Sequence, residues 1–381
     1  MSKNAQANGK NFSSEAFHRN AALLAILFWR AGTFFAGSRE ERSGRMKIRL
    51  KKIPEQVIVI TGATSGVGLT TARLAARRGA KLVLAARNED ALKQVTQELT
   101  KKGNEVAYVV ADVGKEEDVR RIAQTAVERF GGFDTWVNNA GISIFGRNED
   151  VSLEDQRRLF QTNFWGVVHG SLVAVEHLKQ RGGALINLGS EVSDCGLPLQ
   201  GIYSASKHAV KGFTDALRME LEEENAPVAV TLVKPAAMDT MFLQHAKNYM
   251  AVEPKLPPPI YAPEVAADAI LHAAEHPTRD VFAGAAAKLV ASGAHYMPKV
   301  LDGYMKRFVF GQQQSDTPAR DRGEHSLYEP RSGLLERQGY PGHVFESSIY
   351  TRAALHPRTT LALALGAGFA LAALWRRRQS A

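Results

Sequence analysis

The chain is poor in cysteine: Cys195 is the only one in 381 residues. A single thiol excludes a disulfide within the chain and a metal cluster held by several cysteines. This scarcity favours a reducing compartment. No activating base for Cys195 is apparent in the sequence, so we interpret it as a small apolar side chain rather than a nucleophile.

The middle of the chain also lacks positive charge, although the whole chain has a formal net charge of +9. Residues 1–52 carry +8 and residues 346–381 carry +4, which leaves −3 for residues 53–345. A basic groove for DNA or RNA is therefore not expected in the body. Two basic, apolar-containing ends on a slightly acidic body indicate contact with membrane lipid instead.

Residues 359–375 contain no charged side chain and are followed directly by three arginines, in a basic tail over residues 376–381. A helix of this length reaches about 25 Å, slightly less than a hydrocarbon core of about 30 Å, and flanking arginines can extend to the headgroups. The alternative is an apolar helix docked on the body, but the segment has no polar face to present to water. The sequence therefore predicts a single transmembrane helix over residues 359–375.

The N-terminal extension, residues 1–52, contains apolar stretches over 21–29 and 31–37 that Arg30 separates. Each stretch is too short to span a bilayer, and a run of Lys and Arg follows. We interpret the two apolar stretches as an interfacial segment and the basic run as a stretch near anionic lipid. A cleaved signal peptide and a natural start at Met46 are the alternatives.

Apolar runs rich in β-branched residues alternate with helical patterns over residues 53–310. Strands are predicted over residues 57–60, 81–86, 106–110, 135–137, 184–188, 228–233 and 281–283. The first helix between them is predicted to end near residue 78. The other principal helices are predicted over residues 89–101, 116–130, 153–180, 203–224 and 263–274. This alternation requires parallel pairing through crossover helices and predicts an α/β, doubly wound, seven-stranded sheet.

Two segments break this alternation. Residues 241–259 contain four prolines and follow a predicted strand, where a ligand crevice would open, so they predict a lid or substrate loop. Residues 311–358 are rich in polar residues, Gly and Pro with weak periodicity, and they predict a flexible tether between body and tail.

The turn after the first predicted strand is rich in glycine. The positions expected to contact a nucleotide are Gly62, Thr64, Ser65, Gly66, Val67 and Gly68. A bare backbone can turn tightly and approach a pyrophosphate, while free amides at the start of the next helix attract the anion. The position of this turn between a buried strand and an alanine-rich helix predicts a dinucleotide site.

The end of the second predicted strand indicates which dinucleotide binds. An NAD enzyme carries Asp or Glu there to hold the ribose diol, whereas this chain has Arg87. A guanidinium can bind a 2′-phosphate, so the sequence favours NADP as the cofactor. A solvated loop charge is the alternative interpretation of Arg87, and Ser65 supplies no second positive charge in the glycine turn.

Tyr203 and Lys207 lie four residues apart, hence on one face of a predicted helix. A nearby ammonium lowers the pKa of a phenol towards working pH, which suits a general acid for ketone reduction. The pair alone is also compatible with ordinary helix packing, so its meaning depends on the other motifs.

Together these motifs resemble those of the short-chain dehydrogenase/reductase family over roughly residues 55–285. The resemblance includes the glycine turn and the Tyr203/Lys207 pair. The further matches are Asp112 and Val113 after the third strand, Asn138, Asn139, Ala140 and Gly141 after the fourth, Asn163 in the long helix, Ser190 after the fifth, and Pro235 and Thr240 after the sixth. Ala236 departs from the glycine that usually follows that proline.

The resemblance implies a Rossmann-type fold and a role for each motif. It implies that Tyr203 gives a proton to a carbonyl oxygen and that Ser190 hydrogen-bonds to that oxygen. It further implies that Lys207 holds ribose hydroxyls and that Asn163 positions a water linking Lys207 to solvent. The catalytic set is thus Asn163, Ser190, Tyr203 and Lys207, no metal is expected, and the family suggests dimers or tetramers. The residues expected to bind the cofactor are those of the glycine turn and Arg87, together with Asp112, Val113, Asn139, Ala140, Gly141, Tyr203, Lys207, Pro235 and Thr240.

The sequence as a whole predicts a membrane-anchored, NADP-dependent oxidoreductase acting on a carbonyl or secondary alcohol, with a lipophilic substrate suggested by the tail. Because NADPH is an intracellular pool, the body is expected on the cytoplasmic side. The alternative is a non-catalytic, membrane-tethered nucleotide-binding protein that senses redox state or acts as a scaffold.

Overall fold

Seven strands form one parallel sheet in the computed structural model, which describes residues 48–319, 325–331, 333–357 and 359–362. The strands, in chain order, are β1 (Val57–Thr61), β2 (Lys81–Ala86), β3 (Val106–Val110), β4 (Thr135–Asn138), β5 (Gly183–Leu188), β6 (Val228–Pro235) and β7 (Asp280–Ala283). Their spatial order is β7-β6-β5-β4-β1-β2-β3, and every pairing is parallel. The predicted seven-stranded α/β sheet is confirmed.

Helices cover both faces of this sheet. They are α1 (Gly66–Arg77), α2 (Glu89–Lys101), α3 (Glu116–Phe130), α4 (Leu153–Phe160), α5 (Gly166–Arg181), α6 (Gly201–Glu223) and α7 (Pro263–Glu275). One apolar core holds Leu69 of α1 and Ile270 of α7, and the other holds Ile122 of α3 and Leu217 of α6. Two cores on opposite faces make the sheet doubly wound, as predicted.

The strand order reverses at β1, which lies between β2 and β4. The chain runs outward from β1 to β3 and then crosses back to β4. In open parallel sheets such a reversal leaves a crevice at the carboxyl ends of the strands, where ligands bind. Here the crevice lies between the glycine turn after β1 and the loop after β4.

The predicted lid over residues 241–259 contains a short helix, Phe242–His245, and two short strands. Lys247–Asn248 pairs with Ile144–Phe145, and Val252–Pro254 pairs with Gln314–Pro318. Beyond β7 the chain forms α8 (Ala285–Tyr296), α9 (Pro298–Tyr304), a π-helical turn (Met305–Val309) and a short helix (Phe310–Gln312). These elements form a wall beside the lid.

The prediction of a flexible tether over residues 311–358 is wrong for the residues that the structure describes. Strand Val344–Phe345 pairs with Ile260–Tyr261, and a last helix, α10 (Ile349–Leu355), packs on β7. The Thr351 hydroxyl donates to Phe282 O at 3.2 Å and accepts from Gly284 N at 2.9 Å. The polar composition of this segment did not predict these contacts, because they depend on a few residues that bond to distant parts of the sheet.

Within the described residues, no helix is long and apolar enough to cross a membrane. The predicted transmembrane segment, residues 359–375, lies outside them except for its first four residues. The predicted interfacial segment also falls outside them, because the description starts at residue 48. Both remain sequence-based predictions.

Candidate active site

A first cavity opens at the reversal of the strand order. It is lined by the glycine turn, the end of β2 and the loops after β3 and β4. Thirteen of the residues predicted to bind cofactor line it: Gly62, Thr64, Ser65, Gly66, Val67, Gly68, Arg87, Asp112, Val113, Asn139, Ala140, Gly141 and Thr240. The structure thus brings together motifs that are up to 178 residues apart in the chain.

The glycine turn is held in shape by the loop after β4. The Asn139 side-chain amide donates to Thr61 O at 2.9 Å and to Gly62 O at 3.2 Å. Gly62 has a φ of +66°, and a Cβ on Gly68 would lie 2.2 Å from Gly62 O. Only glycine fits at both positions, because a side chain would fill the concave space that the turn leaves. The Ser65 side chain makes no capping bond to α1. The shape of the turn fits a dinucleotide pyrophosphate at the start of α1, where the amide of Gly66 donates to Leu335 O at 2.9 Å in the protein alone.

Asp112 is fixed at the far end of this cavity. Its carboxylate accepts from Gly114 N at 2.9 Å and from the Arg158 guanidinium at 2.6 Å. Burial raises the pKa of Asp112, but these two hydrogen bonds and the nearby arginine charge outweigh burial and hold the pKa below its usual value. The carboxylate is therefore ionised and can accept a further hydrogen bond.

Arg87 lines the first cavity, but its guanidinium also has protein partners. It donates to Tyr328 O at 2.8 Å and to Ser326 O. Both carbonyls belong to the C-terminal part of the chain, and the sequence gives no signal for this contact. The Arg87 side chain is thus held in place rather than loosely solvated.

A second cavity adjoins the first and shares Val67, Asn139, Gly141 and Thr240 with it. Four other predicted site residues line this cavity: Ser190, Tyr203, Lys207 and Pro235. Ser190 begins the short helix Glu191–Ser193 after β5, whereas Tyr203 and Lys207 lie in the first two turns of α6. The predicted tyrosine, serine and lysine therefore border one space that is continuous with the first cavity.

The electrostatics of Tyr203 differ from the sequence-based prediction. Burial raises the pKa of Tyr203 to about 12, and this effect exceeds the lowering by its contact with the Ser190 hydroxyl. Burial also lowers the pKa of Lys207 to about 8. Lys207 Nζ donates to Leu188 O at 2.8 Å and lies 5.8 Å from the centre of the Tyr203 ring. The prediction that Lys207 lowers the pKa of Tyr203 towards working pH is thus wrong for the protein alone, in which burial keeps the phenol protonated.

Asn163 lies in a π-helical turn, Gln161–Trp165, that interrupts the predicted helix over residues 153–180. Its side-chain oxygen accepts from Ile142 N, and its amide donates to Ile142 O, both at 2.9 Å. The amide also donates to Ser206 Oγ at 3.2 Å. The buried side chain of Asn163 thus ties this turn to the loop after β4 and to α6. Its predicted role with a water molecule stays a prediction.

The departure from the family pattern at Ala236 has no visible structural cost. Ala236 N donates to Ala283 O at 2.9 Å, and the residue is buried without a positive φ. An alanine therefore fits where the family usually has glycine. Pro235 and Thr240, on either side of it, reach the second cavity.

A third, largely apolar cavity of about 310 Å³ extends from the second, with Val192, Leu197 and Pro257 common to both. Its other walls come from α8, α9 and the π-helical turn that follows, and include Leu289 and Tyr304. Cys195 also lines it, and burial together with nearby carboxylates raises the pKa of the thiol to about 12. The thiol is therefore protonated, which fits an apolar wall rather than a nucleophile.

Sequence reasoning missed Glu191, which follows Ser190 and lines both the second and the third cavity. Burial raises the pKa of its carboxyl to about 7. Near neutral pH, Glu191 can therefore donate or accept a hydrogen bond at the junction of the two cavities. An exposed glutamate and this one look alike in the sequence, because only the packing around Glu191 changes its chemistry.

We expect Glu191→Gln to stabilise the protein in a pH-dependent way. The unfolded carboxyl ionises near pH 4.5 and the folded one near pH 7, so the folded state binds more protons between these values and wild-type stability falls as pH rises. Glutamine does not titrate, so the variant should gain about 1–3 kcal/mol relative to wild type between pH 4.5 and pH 8. Denaturant unfolding at both pH values measures this gain. A constant difference between the two proteins would contradict it, and the exposed Glu117→Gln is the matched control.

Comparison with known proteins agrees with this geometry. Residues 56–250 match the family model described as short chain dehydrogenase. The uncharacterized oxidoreductase YxnA of Bacillus subtilis (strain 168) is 48% identical over 325 residues, which are 84% of this chain and 91% of that protein. The 11-beta-hydroxysteroid dehydrogenase-like 4A of Arabidopsis thaliana is 38% identical over 215 residues, 56% of this chain and 68% of that protein.

Two solved structures share the fold. A short chain dehydrogenase from Burkholderia cenocepacia J2315 in complex with NADP has a TM-score of 0.57 at 29% identity, covering 67% of this chain and 99% of that one. An alcohol dehydrogenase from the archaeon Thermococcus sibiricus complexed with 5-hydroxy-NADP has a TM-score of 0.53 at 30% identity, covering 60% of this chain and 95% of that one. With the family match and the relative in Bacillus, they lead to one conclusion: this chain belongs to the short-chain dehydrogenase family of oxidoreductases.

Proposed function

We propose that the protein is an NADP-dependent oxidoreductase that interconverts a carbonyl and a secondary alcohol, with Tyr203 as the general acid or base. The observation that carries the proposal is the placement of Ser190, Tyr203 and Lys207 around one cavity continuous with the glycine turn. Bound NADPH supplies a hydride to the carbonyl carbon. The chain has to bind the substrate, hold its oxygen and move one proton.

Each side chain has a distinct task in carbonyl reduction. Tyr203, which burial keeps protonated, donates its hydroxyl proton to the carbonyl oxygen. The Ser190 hydroxyl donates a hydrogen bond to the same oxygen as negative charge develops there. Lys207, fixed by Leu188 O, binds ribose hydroxyls and supplies positive charge near the phenolate that forms. In the oxidation direction, Tyr203 accepts the proton from the alcohol.

Two observations support NADP rather than NAD. Arg87 occupies the position after β2 where an acidic residue would hold the ribose diol of NAD, and it lines the first cavity. Both solved structures named above contain NADP or a derivative of it.

The cavities favour a lipophilic substrate. The second and third cavities are continuous, and the walls of the third are mainly apolar side chains of the lid and of α8 and α9. The relative in Arabidopsis is named as a hydroxysteroid dehydrogenase-like protein, which agrees with an extended apolar substrate.

The test is turnover by the full-length protein. NADPH oxidation is followed by absorbance against a panel of ketones and aldehydes, from small polar to sterol-like, retinoid and fatty-acyl compounds. We expect the lipophilic carbonyls to be reduced fastest, and NADH to support much less turnover. Tight NADPH binding without turnover on any carbonyl or alcohol would favour the non-catalytic redox sensor or scaffold instead.

We also propose that the C-terminal segment anchors the protein in a membrane, with the body on the cytoplasmic side. The support for the anchor is the uncharged sequence from residue 359 to 375 and the arginines that follow it. The support for the cytoplasmic side is the intracellular pool of NADPH, because basic residues flank the segment at both ends. Removal of residues 363–381 is expected to shift the protein from the membrane pellet to the supernatant, whereas removal of residues 1–47 should not. Continued sedimentation of the C-terminal truncation would assign the membrane contact to the N-terminal extension.

A further inference from the structure

A segment of six residues, 326–331, crosses the first cavity, and we call it the C-terminal strap. Ser326, Pro330 and Arg331 of the strap line the cavity together with the glycine turn and Arg87. None of the family motifs lies in this segment. The family model ends at residue 250, so the strap lies beyond the matched region.

The strap is fastened to the body on the side of the lid and α4. Ser326 N donates to His245 O at 2.8 Å, and Leu327 is buried with its carbonyl accepting from Arg158 Nε at 2.9 Å. The Tyr328 hydroxyl donates to Asp155 Oδ1 at 2.7 Å. Side-chain and main-chain contacts together fix the path of the strap.

The strap is also bound to the loop after β2, where the adenosine ribose of a dinucleotide lies in this fold. Arg87 donates to the carbonyls of Ser326 and Tyr328, and the Asn88 side-chain amide donates to Arg331 O at 2.9 Å. Farther along the chain, Leu335 O accepts from Gly66 N of the glycine turn at 2.9 Å. The C-terminal part of the chain therefore follows the cavity from the ribose end to the pyrophosphate end.

Positive charge is concentrated where the strap meets the cavity. Arg87 and Arg331 both line it beside His245, and Arg331 Nη1 donates to Gln244 O at 2.8 Å. Burial, then the charges of Arg331 and Arg87, lower the pKa of His245 to about 4. His245 is thus neutral near pH 7, and its buried Nε2 has no hydrogen-bond partner among the described residues. Among the residues that the structure describes, the carboxylates that act on the charge of Arg87 are Asp112, which is paired with Arg158, and the exposed Glu329.

We propose that the C-terminal strap is part of the cofactor site and that Arg331 is the second cation for the 2′-phosphate of NADP. This inference rests on the proposed function. A phosphate monoester carries a charge of about −1.5 to −2 near neutral pH, which a single arginine does not balance. Ser65 supplies no charge in the glycine turn, so Arg331 provides from the strap the charge that the turn lacks. The buried Nε2 of His245 offers a further hydrogen bond to the same group.

The test measures binding rather than turnover. Full-length protein in detergent is titrated with NADPH, NADH and 2′,5′-ADP by calorimetry or fluorescence. Arg331→Gln is expected to raise the Kd for NADPH and for 2′,5′-ADP at least 10-fold and the Kd for NADH less than 2-fold. Arg331→Lys, which retains the charge, should keep most of the preference for NADPH. Arg352→Gln, an exposed arginine on α10, is the matched control and should leave all three values unchanged.

Two results would overturn the inference. An unchanged NADPH Kd would show that Arg331 does not contact the phosphate, and an equal loss for NADPH and NADH would show a structural role only. Arg87→Gln separates this inference from the proposed function. If wild type binds NADH as tightly as NADPH, then the proposed NADP dependence itself fails. If wild type prefers NADPH, and Arg87→Gln but not Arg331→Gln removes that preference, then the NADP dependence stands and only the proposed role of Arg331 is excluded.

Discussion

Tyr203→Phe is expected to lower kcat by about 10²–10⁴-fold, the range typical for loss of a positioned general acid. The substitution removes the hydroxyl that faces Ser190 and leaves the aromatic ring, whose centre lies 5.4 Å from that of Phe242. Because the ring still fills its place beside the lid, the Kd for NADPH should change less than 2-fold. Steady-state kinetics on the best carbonyl substrate, with a fluorescence titration of NADPH, measure both quantities.

Tyr108→Phe, on β3, is the matched control for that variant. Tyr108 lines neither of the two cavities that hold the predicted site residues, so the loss of its hydroxyl should leave kcat unchanged. Turnover by Tyr203→Phe at more than half the wild-type rate would remove Tyr203 from the mechanism. Loss of NADPH binding in the same variant would instead indicate that the phenol supports the cofactor site.

The pKa values in the site indicate the protonation states of Tyr203 and Lys207 in the protein alone. Burial keeps Tyr203 protonated, with a pKa of about 12, and a protonated phenol is the form that gives a proton to a carbonyl oxygen. Lys207, with its pKa lowered to about 8 by burial, is still largely charged near pH 7, so in the proposed mechanism it stabilises the phenolate that remains after transfer. In the protein alone, Tyr203 is therefore in the protonation state that the proposed reduction uses, whereas the proposed oxidation uses the form that has lost its proton.

Sequence patterns predicted those features that depend on neighbours along the chain. The β-branched run at β1, the glycine turn and the four-residue spacing of Tyr203 and Lys207 each follow from local geometry. The strand positions were correct within one or two residues, and the cavity lining contains nearly the whole set of predicted cofactor residues. Local rules work here because neighbouring residues set the hydrophobic pattern of each strand and the backbone geometry of each turn.

Features that depend on distant contacts could not be predicted. The bonds of Arg87 to Ser326 and Tyr328 join positions about 240 residues apart, in a segment whose composition indicates a linker. The pKa shifts of Glu191 and Tyr203 come from burial, which the sequence does not specify residue by residue. The prediction for the polar C-terminal segment failed for the same reason, since a few well-placed contacts outweigh its average composition.

Gly68→Ala tests the glycine turn and has the second large expected effect. A Cβ at this position would lie 2.2 Å from Gly62 O and 2.5 Å from Asn139 Nδ2, so the turn after β1 must shift away from α1. Overpacking of this kind costs about 1–3 kcal/mol of unfolding free energy. The displaced amides no longer fit a pyrophosphate, and the NADPH Kd should rise at least about 10-fold, equivalent to about 1.4 kcal/mol.

Thermal unfolding with and without NADPH separates the two effects of Gly68→Ala. The variant should unfold at a lower Tm than wild type, and saturating NADPH should raise its Tm much less, because stabilisation by a ligand depends on the ratio of its concentration to Kd. Gly212→Ala is the matched control: this glycine lies in α6, a Cβ added to it would meet no atom within 4 Å, and alanine favours helix. Its Tm and NADPH response should equal or exceed those of wild type. A normal NADPH response in Gly68→Ala would mean that the turn accommodates the added methyl group. The nucleotide would then be held mainly by Arg87 and the loops after β3 and β4.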